Sequence, residues 1–109
     1  MRIEGRMTAI SQDIKELQAY IWQMNIDRGF SGDSAEQKML MLTEEVGELA
    51  KAIRQHIGMG FSETTTKNEA AEELADVLIV ALGLASTLQI DVFDAIVQKE
   101  AKNAKRTWA

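Results

Sequence analysis

The chain has 109 residues, enough for one domain with a modest core and too few for a large α/β barrel. At 46% hydrophobic and 27% charged it is too apolar for intrinsic disorder, and with no cysteine it excludes disulfide scaffolds, thiolate zinc sites, iron–sulfur clusters and cysteine nucleophiles. A single histidine, His56, excludes a histidine-rich metal centre, and a net charge of −5 speaks against a nucleic-acid partner while leaving room for a small phosphorylated ligand.

The segment Ile3-Glu4-Gly5-Arg6 resembles a protease site used to remove expression tags, so residues 1–6 are expected to be a tag remnant and the domain to span 7–109. Without those residues the net charge becomes −6. Ile14, Leu17, Ile21 and Met24 or Ile26 recur at helical spacing and predict a first helix from about Ser11 to Asp27, broken by the glycines of Arg28–Asp33. Ser34 with Gln37 three residues on has the spacing of a capping box. It opens a second helix with the stripe Leu42, Val46, Leu49, Ile53 and Ile57, expected to end near Gly58. Any of the three threonines at 64–66 could cap a third helix, from about Lys67 to Leu88, apolar on nearly every face after Asp76 and so central. Gln89-Ile90 is a tight link, and Asp91 followed by Asp94 caps a fourth helix towards Arg106. Zero proline and no sustained strand alternation give an all-α fold, an antiparallel four-helix bundle. No apolar run reaches the roughly 18 to 20 residues of a membrane span, so no membrane partner and a cytoplasmic location are expected.

Glu44-Glu45-Val46-Gly47-Glu48 on the second helix resembles Glu72-Glu73-Leu74-Ala75-Asp76 on the third. Centred on Val46 and Leu74, Glu45 and Glu73 fall about 100° to one side and Glu48 and Asp76 about 160° to the same side. Each pair alone reads as a solvated helix face. At equal offsets, interleaved with Met41, Ala52 and Val80 and without matching lysines, four acids would repel one another unless a cation neutralised them. A hard divalent ion is the simplest remedy. Glu44 and Glu72 point further round, and Glu69 lies one turn before Glu73.

The order Glu-Glu-x-x-Glu, 24 intervening residues, then Glu-x-x-Asp resembles the signature of the MazG-like all-α nucleoside triphosphate pyrophosphohydrolases. Flanking residues in Leu42–Ala50 and Glu73–Leu78, and the ending Lys99–Arg106, match it too. The resemblance implies Mg²⁺, with Mn²⁺ as a substitute, on Glu45, Glu48, Glu73 and Asp76. It also implies cleavage of a nucleoside triphosphate, expected to be a deoxynucleotide, to monophosphate and pyrophosphate, and assembly as a homodimer or dimer-of-dimers tetramer. One of the same acids, or Glu44, would orient the attacking water.

Lys99, Lys102 and Arg106 share one face of the fourth helix and offer countercharge to a triphosphate, although basic residues also suit a helix C-terminus. The resemblance points to Lys99 and Asn103 as substrate-facing. Lys38 is a further phosphate candidate, and Trp22, Phe30 and Trp108 are candidates to stack on a base, against a packing role for each. His56 reads as an end-of-helix residue. Two alternatives stand beside this reading: a non-catalytic helical oligomerisation module, and a related pyrophosphohydrolase acting on phosphoribosyl-nucleotides or (deoxy)uridine triphosphate. The nearly all-round apolarity of the third helix independently predicts a partner subunit.

Overall fold

With no proline and apolar residues every three or four positions, the chain commits its backbone hydrogen bonds to helices. The computed structural model describes residues 3–56 and 67–106, with side chains described over 13–55 and 69–106. Its elements are α1 (Ile3–Asp27), α2 (Ala35–His56), α3 (Lys67–Thr87) and α4 (Val92–Ala104), with no strand among the described residues. The α1 helix begins at Ile3, inside the segment set apart above and two turns before Ser11. The expected end of α2 near Gly58, the threonines at 64–66 and Trp108 lie outside the described residues.

Local chemistry sets the punctuation. At the start of α2 the Ser34 backbone N–H donates to Gln37 Oε1 (2.7 Å) and the Gln37 N–H donates to Ser34 Oγ (3.1 Å), the reciprocal capping box read from the sequence. Two helices end in the same motif. After α1, Phe30 N–H reaches Asn25 O (2.7 Å) and Gly29 N–H reaches Ile26 O (3.2 Å), with Gly29 at φ 82°. After α3, Ile90 N–H reaches Ala85 O (2.8 Å) and Gln89 N–H reaches Ser86 O (3.0 Å). There Gln89 holds φ 58°, a conformation that glycine adopts more readily. Asp91 then caps α4 by accepting the Asp94 N–H at 3.0 Å.

The hairpin of α2 and α3 is antiparallel: Glu45 meets Glu73 and Asp76, while Met41, one turn earlier on α2, and Val80, one turn later on α3, line a common cavity. The α1 helix also runs against α3, with Asn25 at Gly83 and Gln18, two turns earlier, at Ser86. Both α1 and α2 therefore oppose α3, and α4 turns away from it by 98° to pack on α1. The antiparallel relation expected of a four-helix bundle thus holds along α3 but not for α4, because the tight Gln89-Ile90 turn redirects the chain.

Ile21 and Leu82, 3% and 6% exposed, centre the contact of α1 with α3. By contrast Val46 and Leu74, the centres of the apolar stripes in the sequence, are 48% and 49% exposed. Met39, Val46 and Ile53 recur every seven residues along the open side of α2, and Leu78 extends the open side of α3. The molecule is flat, 43 × 42 × 23 Å, with a radius of gyration of 16.6 Å against about 13 Å for a compact chain of this length. No single helix among the described residues is long and apolar enough to cross a membrane.

Candidate active site

The equal offsets on α2 and α3 bring carboxylates face to face across the hairpin. One oxygen from each of Glu45, Glu73 and Asp76 lies within 4.8 Å of the others. Glu45 and Glu73 are partly buried and Asp76 is exposed. The Glu45 carboxyl is held above its ordinary value of 4.5, first by burial and then by the like charges of Asp76, Glu73, Glu48 and Glu44. Every charge in that list is negative. Glu48 and Glu44 are therefore close enough to act on Glu45, yet both are exposed and lie outside the tight group of three. Glu72 and Glu69 are exposed. A set of oxygen donors with no cation among them has the chemistry that a hard divalent ion satisfies.

One helical turn away the same hairpin forms the wall of a half-open cavity of about 500 Å³ including its mouth. Met41 of α2 and Ile79, Val80 and Gly83 of α3 make one side, Met24 and Asn25 of α1 the other, and Phe30 and Asp33 the lip. Phe30 is 45% exposed there. Lys38 is only 4% exposed, and its ammonium donates to Phe30 O (2.8 Å) and Asp33 O (3.3 Å), so it fastens the α1–α2 loop and closes the end of the cavity.

The remaining sequence candidates stand elsewhere in the protomer. Trp22 lines a separate groove with Lys15, Gln18 and Gln89. Lys99 and Asn103 border a shallow groove formed by α4 alone, Lys102 is exposed on the same helix, and Arg106 is exposed two residues past its end. With α4 packed on α1, the chain does not itself carry these four to the acids. The His56 side chain lies outside the described ones. Asn25 and Gly83 are cavity residues that helical periodicity did not single out. The signal for Gly83 was present: a lone glycine inside an apolar helix marks a close approach.

Fold and site together define a protein that is all-helical among the described residues, with a carboxylate cluster beside a half-open cavity. Residues 33–108 match the MazG nucleotide pyrophosphohydrolase domain. The chain is also 39% identical over 94 residues, covering 86% of its own length and 72% of the relative's, to a dATP/dGTP diphosphohydrolase of Cyanophage S-2L. No solved structure matches. The chain belongs to the MazG family of nucleotide pyrophosphohydrolases, as the order of its acidic motifs indicates.

Proposed function

We propose that this enzyme hydrolyses purine deoxyribonucleoside triphosphates between the α and β phosphates, yielding monophosphate and pyrophosphate, as housekeeping of a cytoplasmic nucleotide pool. The observation that carries this reading is the placement of three converging carboxylates one helical turn from a cavity with apolar walls. That spacing suits a nucleotide whose phosphates lie at the acids and whose base lies between Met24, Met41 and Phe30. The named activity of the cyanophage relative on dATP and dGTP supports the deoxypurine class. The domain doing this work is taken as 7–109, with residues 1–6 as the tag remnant.

Glu45, Glu73 and Asp76, joined by Glu48, are the residues that would hold Mg²⁺ or Mn²⁺. The ion, when bound, supplies charge neutralisation at the phosphates and a lowered pKa for a coordinated water. Glu44, exposed beside Glu45, orients the attacking water. Lys99 and Lys102 on α4, with Asn103 beside them and Arg106 just past its end, offer basic and amide groups to the phosphates.

A homodimer or dimer-of-dimers covers the Val46–Leu74 face, which four helices of one chain leave open, and in that assembly the basic face of α4 meets the acids of a second copy. The supporting observation is the surface area, 8178 Å² against about 6000 Å² for a compact monomer of this mass.

The test is a panel of nucleoside triphosphates with Mg²⁺, scored for product. Monophosphate and pyrophosphate from dATP and dGTP are expected. A nucleoside diphosphate with inorganic phosphate overturns the cleavage position, and preference for (deoxy)uridine triphosphate or a phosphoribosyl-nucleotide overturns the substrate class. No turnover with any of them, together with no thermal response to Mg²⁺, leaves a helical oligomerisation module. A monomer by light scattering at micromolar concentration overturns the assembly.

A further inference from the structure

Gly83 sits inside α3, where alanine is the better helix former and where nothing in the backbone demands a left-handed φ. What it makes room for is a side chain. A Cβ at Gly83 would lie 2.8 Å from Asn25 Nδ2 and 4.0 Å from Lys38 Cε. The first distance is closer than a carbon and an amide nitrogen can approach, so the missing methyl is the space that the Asn25 amide occupies.

That amide is uncommitted. The Asn25 main-chain carbonyl accepts the Phe30 N–H, but the side chain makes no hydrogen bond with any described residue. Its neighbour in the wall is already engaged, since the Lys38 ammonium donates to two loop carbonyls. Along the helices the other walls are apolar, from Met24, Met41, Ile79 and Val80, and the charged Arg28 and Asp33 line the cavity only at its loop end. A half-buried primary amide on such a wall presents one acceptor and two donors side by side, the pairing that matches a base edge in bidentate fashion.

We propose that Asn25, seated in the space left by Gly83, reads the edge of the nucleobase, and that these two residues together set the base selectivity of the enzyme. The inference rests on the reading above, that the cavity beside the acids takes the base. It assigns to Gly83 a role in specificity that a glycine cannot perform by contact: it fixes where the amide stands. A larger residue at 83 therefore has the same consequence as losing the amide.

The experiment measures kcat/KM for dATP, dGTP, dCTP and dTTP with Mg²⁺ in wild type, Asn25→Ala, Asn25→Asp, Gly83→Ala and the Asn25→Ala/Gly83→Ala double variant. Each single substitution is expected to reduce the purine-over-pyrimidine ratio about tenfold or more, chiefly through KM. The double variant should be no worse than the worse single, because both remove one interaction. If Gly83→Ala does not fold, Asn25→Asp decides, since it keeps the shape and removes the donors. A wild type without base preference, ratios unchanged in the Asn25 variants, a uniform loss across all four substrates, or losses that multiply in the double variant each overturn the proposal. Absence of turnover in the wild type with every triphosphate overturns the hydrolase reading instead.

Discussion

Two regions of this molecule gather carboxylates, and they treat them in opposite ways. At the junction of α1 and α4, Lys15 Nζ lies 2.9 Å from Asp91 Oδ2 and 3.7 Å from Asp94 Oδ1, and 4.8 Å from the centre of the Phe93 ring. The hydrogen bond from the Asp94 backbone and then that from Lys15 hold the Asp91 carboxyl below its ordinary value, and the bond to Asp91 raises the Lys15 ammonium. Beside them Gln18 donates to Ser86 Oγ (3.1 Å) and Ile90 O (2.8 Å) and accepts the Val92 N–H (2.9 Å). Lys15, Asp91 and Gln18 in this latch thus meet their complements within the chain. Across the α2–α3 hairpin the reverse holds: Glu45, Glu73 and Asp76 face like charges, and Glu45 is shifted upward. Charges neutralised internally fasten helices, whereas charges left facing one another are suited to a cation from outside.

Breaking the unneutralised region should have the largest effect. Glu45→Gln, Glu73→Gln or Asp76→Asn is expected to lower turnover by at least about a hundredfold, since each removes part of an electrostatic contribution of several kcal/mol to the transition state. Steady-state kinetics with Mg²⁺ checks this, with Glu36→Gln in the exposed first turn of α2 as the control. Combining two of the three should cost little beyond the worse single, because groups acting on one ion are not additive.

The second test sharpens the contrast through pH and metal. Because the Glu45 carboxyl is raised in the folded state, the native protein binds that proton more tightly than the unfolded chain. Its contribution to stability is therefore most favourable below the ordinary value of 4.5 and declines as pH rises through 4.5 towards the raised folded value. Thermal melts of metal-free wild type against Glu45→Gln should show a decline in this window that the variant lacks. Millimolar Mg²⁺ should raise Tm in wild type, corresponding to about 2.7 kcal/mol at a hundredfold excess over Kd.

Smaller effects are expected from the neutralised region, and on stability rather than turnover. Gln18→Ala deprives Ile90 O and Val92 N–H of their side-chain partner at a site only 9% exposed, so a loss of about 1 to 3 kcal/mol is expected by urea unfolding. Lys15→Met should cause the smallest change, a slight fall in Tm that added salt abolishes, because its partners are solvent-exposed. A hundredfold loss of turnover in Lys15→Met would erase the distinction between the two regions.

How far the sequence reaches depends on the range of the interaction. The Ser34–Gln37 box and the Asp91 cap are contacts three residues apart, and both stand where the sequence placed them. The equal angular offsets of Glu45 with Glu73, and of Glu48 with Asp76, are properties of single helices and were legible before any packing. They foretold convergence, although Glu48 remains outside the tight group. Periodicity placed Val46 and Leu74 at the centres of apolar stripes, but it identifies an apolar side without saying whether the same chain supplies its cover, and here both are about half exposed.

The sequence by itself therefore determined the four helical segments, the Ser34–Gln37 and Asp91 caps and the acidic faces, since each follows from steric and hydrogen-bonding preferences within a few residues. Only the tertiary structure decided that α4 turns through 98° onto α1 and stands away from the acids, that Lys38 spends its ammonium on the loop, and that Asn25 comes to rest in the gap at Gly83. The last of these depends on a helix crossing between residues 58 positions apart in the chain, and no local spacing encodes where two helices cross.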